Sequence, residues 1–196
     1  GSYNFTDNFS GEAFYLLDFQ TTDPDPVGTY FSTNDFAVIG GRYVMLNFGT
    51  VPQPVINPDL YPEVCQQGNY AASDTGLPAA LVAGGCSAAF PRSKTRLASD
   101  SGQYGFALRY LAENLNTTEF GFFAMNYHSR VPLISGISVT GQAPNTGSYF
   151  TEYPEDIHLF GLSFNTQLEA SGIALQGELS YRPNQPYQVD DVELLF

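Results

Sequence analysis

The 196-residue chain contains no run of about 20 apolar residues, so its composition excludes transmembrane helices. Its 20 acidic residues outnumber 7 basic ones, giving a formal net charge of −13. Because phosphate contacts need clustered lysine and arginine, this charge excludes nucleic acid as the expected partner.

The first predicted strand covers residues 5–20, where two sets of side chains alternate with a period of two residues. One set is mostly apolar and includes Phe9, Tyr15 and Phe19, whereas the other includes Glu12 and Asp18. A tilted strand needs roughly 9–11 residues to cross an outer membrane, and this segment is long enough. The proline-rich run DPDP that begins at Asp23 ends the pattern, because proline donates no ladder hydrogen bond.

A long connection at about residues 21–102 follows, rich in proline, glycine and asparagine. Within it, a strand at 42–48 and one or two helical turns at 77–83 are predicted. Cys65 and Cys86 have no histidine or further cysteine nearby, which favours a disulfide over a zinc site. A disulfide indicates a compartment outside the cytoplasm.

A tight hairpin comes next, with strands at 103–112 and 118–130. Tyr104, Phe106 and Leu108 share one parity, and Ala107 and Arg109 share the other. The neighbouring residues Phe122 and Phe123 interrupt the alternation of the second arm, so we expect a β-bulge there. Tyrosines near the strand ends, Tyr104, Tyr110, Tyr127 and Tyr181, fit the aromatic girdles of a membrane barrel.

A second long connection at about 131–156 leads to strands at 157–166 and 173–182, which a tight turn at 170–172 joins. The connections therefore run long, short, long, short, as in a barrel whose hairpin turns lie on the periplasmic side. In a soluble sandwich, by contrast, the apolar face would cover a dry core, and nothing would sort the loops by length. We therefore predict an all-β fold over residues 1–196, an antiparallel meander of about five long strands belonging to a larger transmembrane β-barrel.

This topology predicts the sidedness of the strands. The apolar face would contact outer-membrane lipid, because lipid cannot hydrate a charge, and the opposite face would line a wet lumen. The candidate lumen-lining residues are Glu12, Asp18, Arg109, Gln176, Glu178 and Arg182. Five strands cannot close a barrel, so the remaining strands of the same barrel are expected partners.

Five separated segments carry a resemblance to a known family. They are DPVGTYFSTNDF (25–36), GQYG (102–105) leading into Arg109-Tyr110, NYHSR (126–130), EYPEDI (152–157) and SYRPN (180–184). In this order they resemble the bacterial family catalogued as domain of unknown function 1302, over nearly the whole chain. The resemblance implies a Gram-negative outer-membrane protein, usually longer than this chain, so that the sequence would be an internal fragment. It also implies a partner resembling an outer-membrane lipoprotein and a role with apolar molecules.

The expected function is a channel or uptake protein for small hydrophobic molecules, located in the bacterial outer membrane with its long loops extracellular. The alternative is a surface binding or adhesion protein whose loops bind a partner. A lipid-active hydrolase is the least favoured, because His128 and Ser129 are adjacent and would point to opposite faces of a strand. We therefore predict no enzymatic activity, no cofactor and no metal site.

Overall fold

Ten strands and one α-helix occur in the computed structural model, which describes residues 1–31, 36–38, 40–45, 62–73, 76–87, 89–137, 147–168 and 171–188. The elements are β1 (Ser2–Thr6), β2 (Phe9–Tyr15), β3 (Tyr43–Met45), α1 (Ala79–Ser87), β4 (Ala89–Pro91), β5 (Tyr104–Ala112), β6 (Thr118–Tyr127), β7 (Leu133–Ile137), β8 (Ser148–Glu152), β9 (Ile157–Leu168) and β10 (Ile173–Tyr181). In the described part of the chain, no helix is long and apolar enough to span a membrane.

The main sheet has six strands in the order β1-β2-β5-β6-β9-β10, and every neighbouring pair is antiparallel. The predicted antiparallel meander is therefore confirmed. The single first strand at 5–20 is wrong, because the chain turns at Asp7 and Asn8 and forms the hairpin of β1 and β2. Aspartate and asparagine favour turns, since their side chains hydrogen-bond to nearby backbone groups. β2 then ends at Tyr15, so Asp18 lies beyond the strand.

The expected bulge in β6 is also wrong. Its register is unbroken against β5, from Asn126 to Thr118, and against β9, from Tyr127 to Glu119. Phe122 and Phe123 therefore point to opposite faces of the sheet. Both faces of β6 carry aromatic rings, and the local sequence needs no extra residue to accommodate them.

Short and long connections are sorted between the two ends of the main sheet. The links from β1 to β2, β5 to β6 and β9 to β10 are tight turns at one end, called here the turn end. The links from β2 to β5 and from β6 to β9 are long and leave from the opposite end, called here the loop end. The predicted alternation of long and short connections is present in the structure.

The chain divides into two compact units. The first, which contains the main sheet, comprises residues 1–21, 97–132 and 153–187. The second takes in residues 22–96 and 133–152, the greater part of the two long connections. Besides the elements predicted at 42–48 and 77–83, these connections contain the strands β4, β7 and β8.

The second unit has its own small core and a disulfide. Cys65 and Cys86 are bonded, as predicted, next to the buried side chains of Val64 and Val82. β3 pairs with β4 and β7 pairs with β8, both antiparallel. β3 and α1 overlap the segments predicted at 42–48 and 77–83, although residues 46–48 lie outside the described part. The β7–β8 hairpin was not predicted.

Two arginines hold β8 in the second unit. Arg92 donates from Nη2 to Thr151 Oγ1 at 3.1 Å and also hydrogen-bonds to the Val38 carbonyl oxygen through Nη1. The guanidinium of Arg96 lies 4.0 Å from the ring centroid of Phe150, a cation–π contact. Arg92, which is partly buried, therefore joins segments that are distant in the sequence, whereas Arg96 makes its contact through a side chain that is 64% exposed.

Candidate functional site

The main sheet has one apolar face that is exposed over all six strands. Strand register aligns Ala13 with Phe106, Phe106 with Ala124 and Ala124 with Phe160, and thereby fixes the membership of this face. The apolar face includes Phe5, Tyr15, Tyr104, Phe106, Leu108, Tyr110, Phe122, Phe160, Leu162, Leu175, Leu179 and Tyr181. Phe106 is 51% exposed and Phe122 49%. Large exposed apolar patches mark sites of interaction with another protein, a ligand or a membrane.

The opposite face is concave and carries the charged side chains. Residues from all six strands line one concavity of about 750 Å³, among them Ser2, Glu12, Ala107, Phe123, Ser163 and Glu178. We call this surface the concave face. The strand registers place Glu12, Arg109, Gln176 and Glu178 on it, as the parity of the sequence predicts.

The remaining two predicted lining residues lie outside the strands. Arg182 directly follows β10 and still lines the concavity, since it keeps the parity of Ser180 and Glu178. Asp18 lies in a bend after β2 and is not among the residues lining the concavity. The alternation around Asp18 resembled a strand, but the pairing of β2 with β5 stops at Tyr15 and Tyr104.

An ion pair crosses the concave face between neighbouring strands. Arg109 Nη1 on β5 lies 2.7 Å from Glu12 Oε1 on β2. Both side chains are partly exposed, so water screens the pair and its contribution to stability is small. Because the two charges neutralise each other, the pair adds no net charge to the concave face.

Sequence reasoning missed the apolar part of the concave face. Phe14, Met125 and Leu159 form a row across β2, β6 and β9, with Gly105 of β5 between the first two. Phe123 lies one step nearer the turn end. The expected bulge at Phe122 and Phe123 would have kept Met125 on the apolar face, whereas the unbroken register of β6 places it on the concave face.

A polar network lies at the loop end of the sheet. Asn126 donates from Nδ2 to the Gly102 carbonyl oxygen at 2.9 Å and to Asp156 Oδ1 at 2.8 Å. Asp156 has a φ of 54° and donates its backbone N–H to His128 Nδ1 at 3.1 Å. Asn184 Nδ2 donates to the Asp156 carbonyl oxygen at 2.7 Å. Four of the five segments that carry the family resemblance therefore meet here, through the residues Gly102, Asn126, His128, Asp156 and Asn184.

His128 and Ser129 each have a structural role in these surroundings. His128 is 3% exposed, and because Nδ1 accepts from Asp156, its Nε2 carries the proton and donates to the Ser101 carbonyl oxygen at 2.9 Å. Ser129 Oγ donates to the Val131 carbonyl oxygen at 2.8 Å. The imidazole therefore has no free nitrogen with which to activate a nucleophile.

One tyrosine departs from the predicted girdle. Tyr15, Tyr104 and Tyr181 lie on the apolar face near the loop end, but Tyr127 has the opposite parity. Its hydroxyl donates to Gln185 Oε1 at 3.0 Å.

The described residues include no group of three or more histidine, cysteine, aspartate or glutamate side chains that could hold a metal ion.

The main sheet is therefore an antiparallel meander with one exposed apolar face and an opposite face that carries both charged and apolar side chains. The chain belongs to the family described as "Protein of unknown function (DUF1302)", whose model matches residues 1–196. This confirms the family that the sequence segments indicate. No curated protein and no solved structure matches the chain.

Proposed function

We propose that the main sheet is part of the wall of an outer-membrane β-barrel that conducts or takes up small, hydrophobic molecules. The observation that carries this proposal is the exposed apolar face. Phe106, Phe122, Phe160 and Leu162 are each about half exposed although they lie on central strands. Lipid would cover these apolar side chains at no cost in free energy, whereas the ion pair of Glu12 and Arg109 on the other face needs water.

The dimensions of the strands support the same proposal. β5 has nine residues, Tyr104–Ala112, which at roughly 3.4 Å per residue span about 30 Å along the strand. With a strand tilt of about 40°, this length projects to about 23 Å, close to the apolar band of roughly 25 Å in outer-membrane barrels. Tyr15, Tyr104 and Tyr181 near the loop end of this face fit one aromatic girdle, with the long connections extracellular.

The two edges of the sheet indicate the expected partners. Within the described residues, the outer edges of β1 and β10 pair with no strand. Unpaired backbone groups are not tolerated in lipid, so further strands must continue the sheet on both sides. Strands of the same barrel are the proposed neighbours, and the small solute and the lipoprotein-like partner remain predictions.

The second unit favours an alternative function, surface binding or adhesion. Its disulfide and the buried Val64 and Val82 give it a core of its own, which a passive loop would not need. On this alternative, the main sheet is an anchor and the second unit binds a partner outside the cell.

Liposome swelling with the purified protein tests the channel against the anchor. Small solutes should enter protein-containing vesicles faster than protein-free ones, and Gly161→Trp should slow this entry by adding an indole to the concave face. Leu162→Trp is the matched control, because the neighbouring side chain lies on the apolar face and should leave swelling unchanged. Equal swelling with and without protein would contradict the channel and favour adhesion.

A further inference from the structure

The concave face changes in character from the loop end to the turn end. Nearest the loop end is the apolar row Phe14, Met125 and Leu159, and the next row places Phe123 between Ala107 and Gly161. One row further, Arg109, Gly121, Ser163 and Glu178 are aligned, and this row is polar. The apolar side chains of the concave face therefore lie towards the loop end and its polar groups towards the turn end.

The apolar rows leave contact surface available to a ligand. Phe123, Met125 and Leu159 are only half-buried, and Phe14 is exposed. Gly161, which lies beside Phe123, adds no side chain, and a Cβ there would still have 3.4 Å to the nearest atom. The recess can therefore take an apolar group against these side chains with no rearrangement of the backbone.

The charges on this face are not equivalent. Glu12 neutralises Arg109 through their ion pair. Arg182 lines the same concavity but forms no ion pair with the described residues. The register of β9 and β10, continued by one residue beyond Tyr181, places Arg182 opposite Leu159, so this guanidinium borders the apolar row.

We propose that the concave face binds a small amphipathic organic acid, with its apolar body on Phe123, Met125 and Leu159 and its carboxylate on Arg182. A guanidinium can bind a carboxylate through two parallel hydrogen bonds, which fixes the orientation of the acid. The reverse orientation is disfavoured because Glu178 on the polar row would repel the carboxylate. This proposal rests on the proposed function, since it names the solute class of the same face.

Equilibrium dialysis of the detergent-folded protein against 4-phenylbutyrate, 4-phenyl-1-butanol and butyrate tests the site without requiring transport. The phenyl acid should bind most tightly, because the alcohol lacks the charge and butyrate lacks the apolar body. Arg182→Gln should weaken binding of the phenyl acid by about tenfold, the effect of losing one charge-assisted contact. The same variant should bind 4-phenyl-1-butanol with unchanged affinity. Arg130→Gln is the control for net charge, because Arg130 is exposed and lies outside the concavity.

The outcomes separate this proposal from the channel. Failure of the phenyl acid to bind, equal binding of acid and alcohol, or an Arg182→Gln variant that binds the acid like the unmodified protein would each overturn the amphipathic-acid site. If the acid binds with the expected dependence on Arg182 but vesicles do not swell, the site stands and the channel fails. If vesicles swell but Arg182→Gln does not weaken binding of the acid, the channel stands and the amphipathic-acid site fails.

Discussion

The ring of Phe14 on β2 covers the backbone of Gly105 on β5, directly opposite it in the strand register. A Cβ at Gly105 would lie 2.5 Å from Phe14 Cε1 and 2.9 Å from Met125 Cγ. Gly105→Ala should therefore destabilise the sheet by about 1–3 kcal/mol, the usual cost of overpacking. Urea titration followed by the gel shift between folded and unfolded protein measures this loss.

Gly161→Ala is the matched control for Gly105→Ala. It lies on the same face, but its added Cβ has 3.4 Å to the nearest atom, so stability should change by less than about 0.5 kcal/mol. Truncating the ring with Phe14→Ala should reduce the cost of Gly105→Ala, since the closest clash is removed. Equal losses of unfolding free energy for Gly105→Ala and Gly161→Ala would show that the close Phe14–Gly105 contact does not determine the cost of a side chain at position 105.

Asn126 joins three segments at the loop end through its contacts with Gly102 and Asp156. Asn126→Ala should cost about 1–3 kcal/mol, because the buried amide loses two hydrogen bonds, one of them to a carboxylate. Asn165→Ala on β9 should change stability by less than about 0.5 kcal/mol, since that side chain is exposed. Thermal unfolding measures the stability of both variants. Similar losses of stability would show that the polar network does not stabilise the fold.

The disulfide should stabilise the second unit more than the main sheet. Cys65 and Cys86 are 21 residues apart, and closing a loop of that length is worth about 3 kcal/mol. The double variant Cys65→Ser and Cys86→Ser should make residues 62–87 sensitive to limited proteolysis while the main sheet stays resistant. Mass spectrometry of the fragments locates the cuts. Cleavage spread equally over both units would contradict their separate stability.

Leu108 and Gln176 test which face of the sheet contacts lipid. Leu108 lies on the apolar face and Gln176 on the concave face. Leu108→Arg should block membrane assembly, because an arginine at the bilayer midplane costs about 2–4 kcal/mol. Gln176→Arg should assemble normally, since a wet lumen hydrates the charge. Assembly is measured as the folded fraction in outer-membrane preparations. Equal folded fractions of the two variants would contradict the proposed sidedness.

The sequence predicted the strands of the main sheet better than their ends. A period of two residues placed Leu108 and Arg109 on opposite faces, and the register confirms this. The same rule extended the first strand through Asp7 and Asn8, because alternation continues across a two-residue turn and does not show where pairing stops. Tyr127 was misassigned for a related reason, since its place at a strand end said nothing about its face.

The second unit and the polar network could not be read from the sequence. Arg92 reaches Thr151 and Asn126 reaches Asp156, contacts between residues far apart along the chain. No periodicity encodes such contacts, which depend on where the long connections return. The apolar row of Phe14, Met125 and Leu159 follows from parity only if β6 has no bulge, so the expected bulge concealed it.

Spin labels along β5 test the central claim most directly. Single cysteines at positions 106 to 109 carry a nitroxide, and its collisions with oxygen, which concentrates in lipid, and with a water-soluble nickel chelate are compared in reconstituted membranes. Labels replacing Phe106 and Leu108 should collide more with oxygen, and those replacing Ala107 and Arg109 more with nickel, because the two pairs lie on opposite faces. Equal access of the nickel chelate to all four positions would contradict a lipid-facing apolar surface.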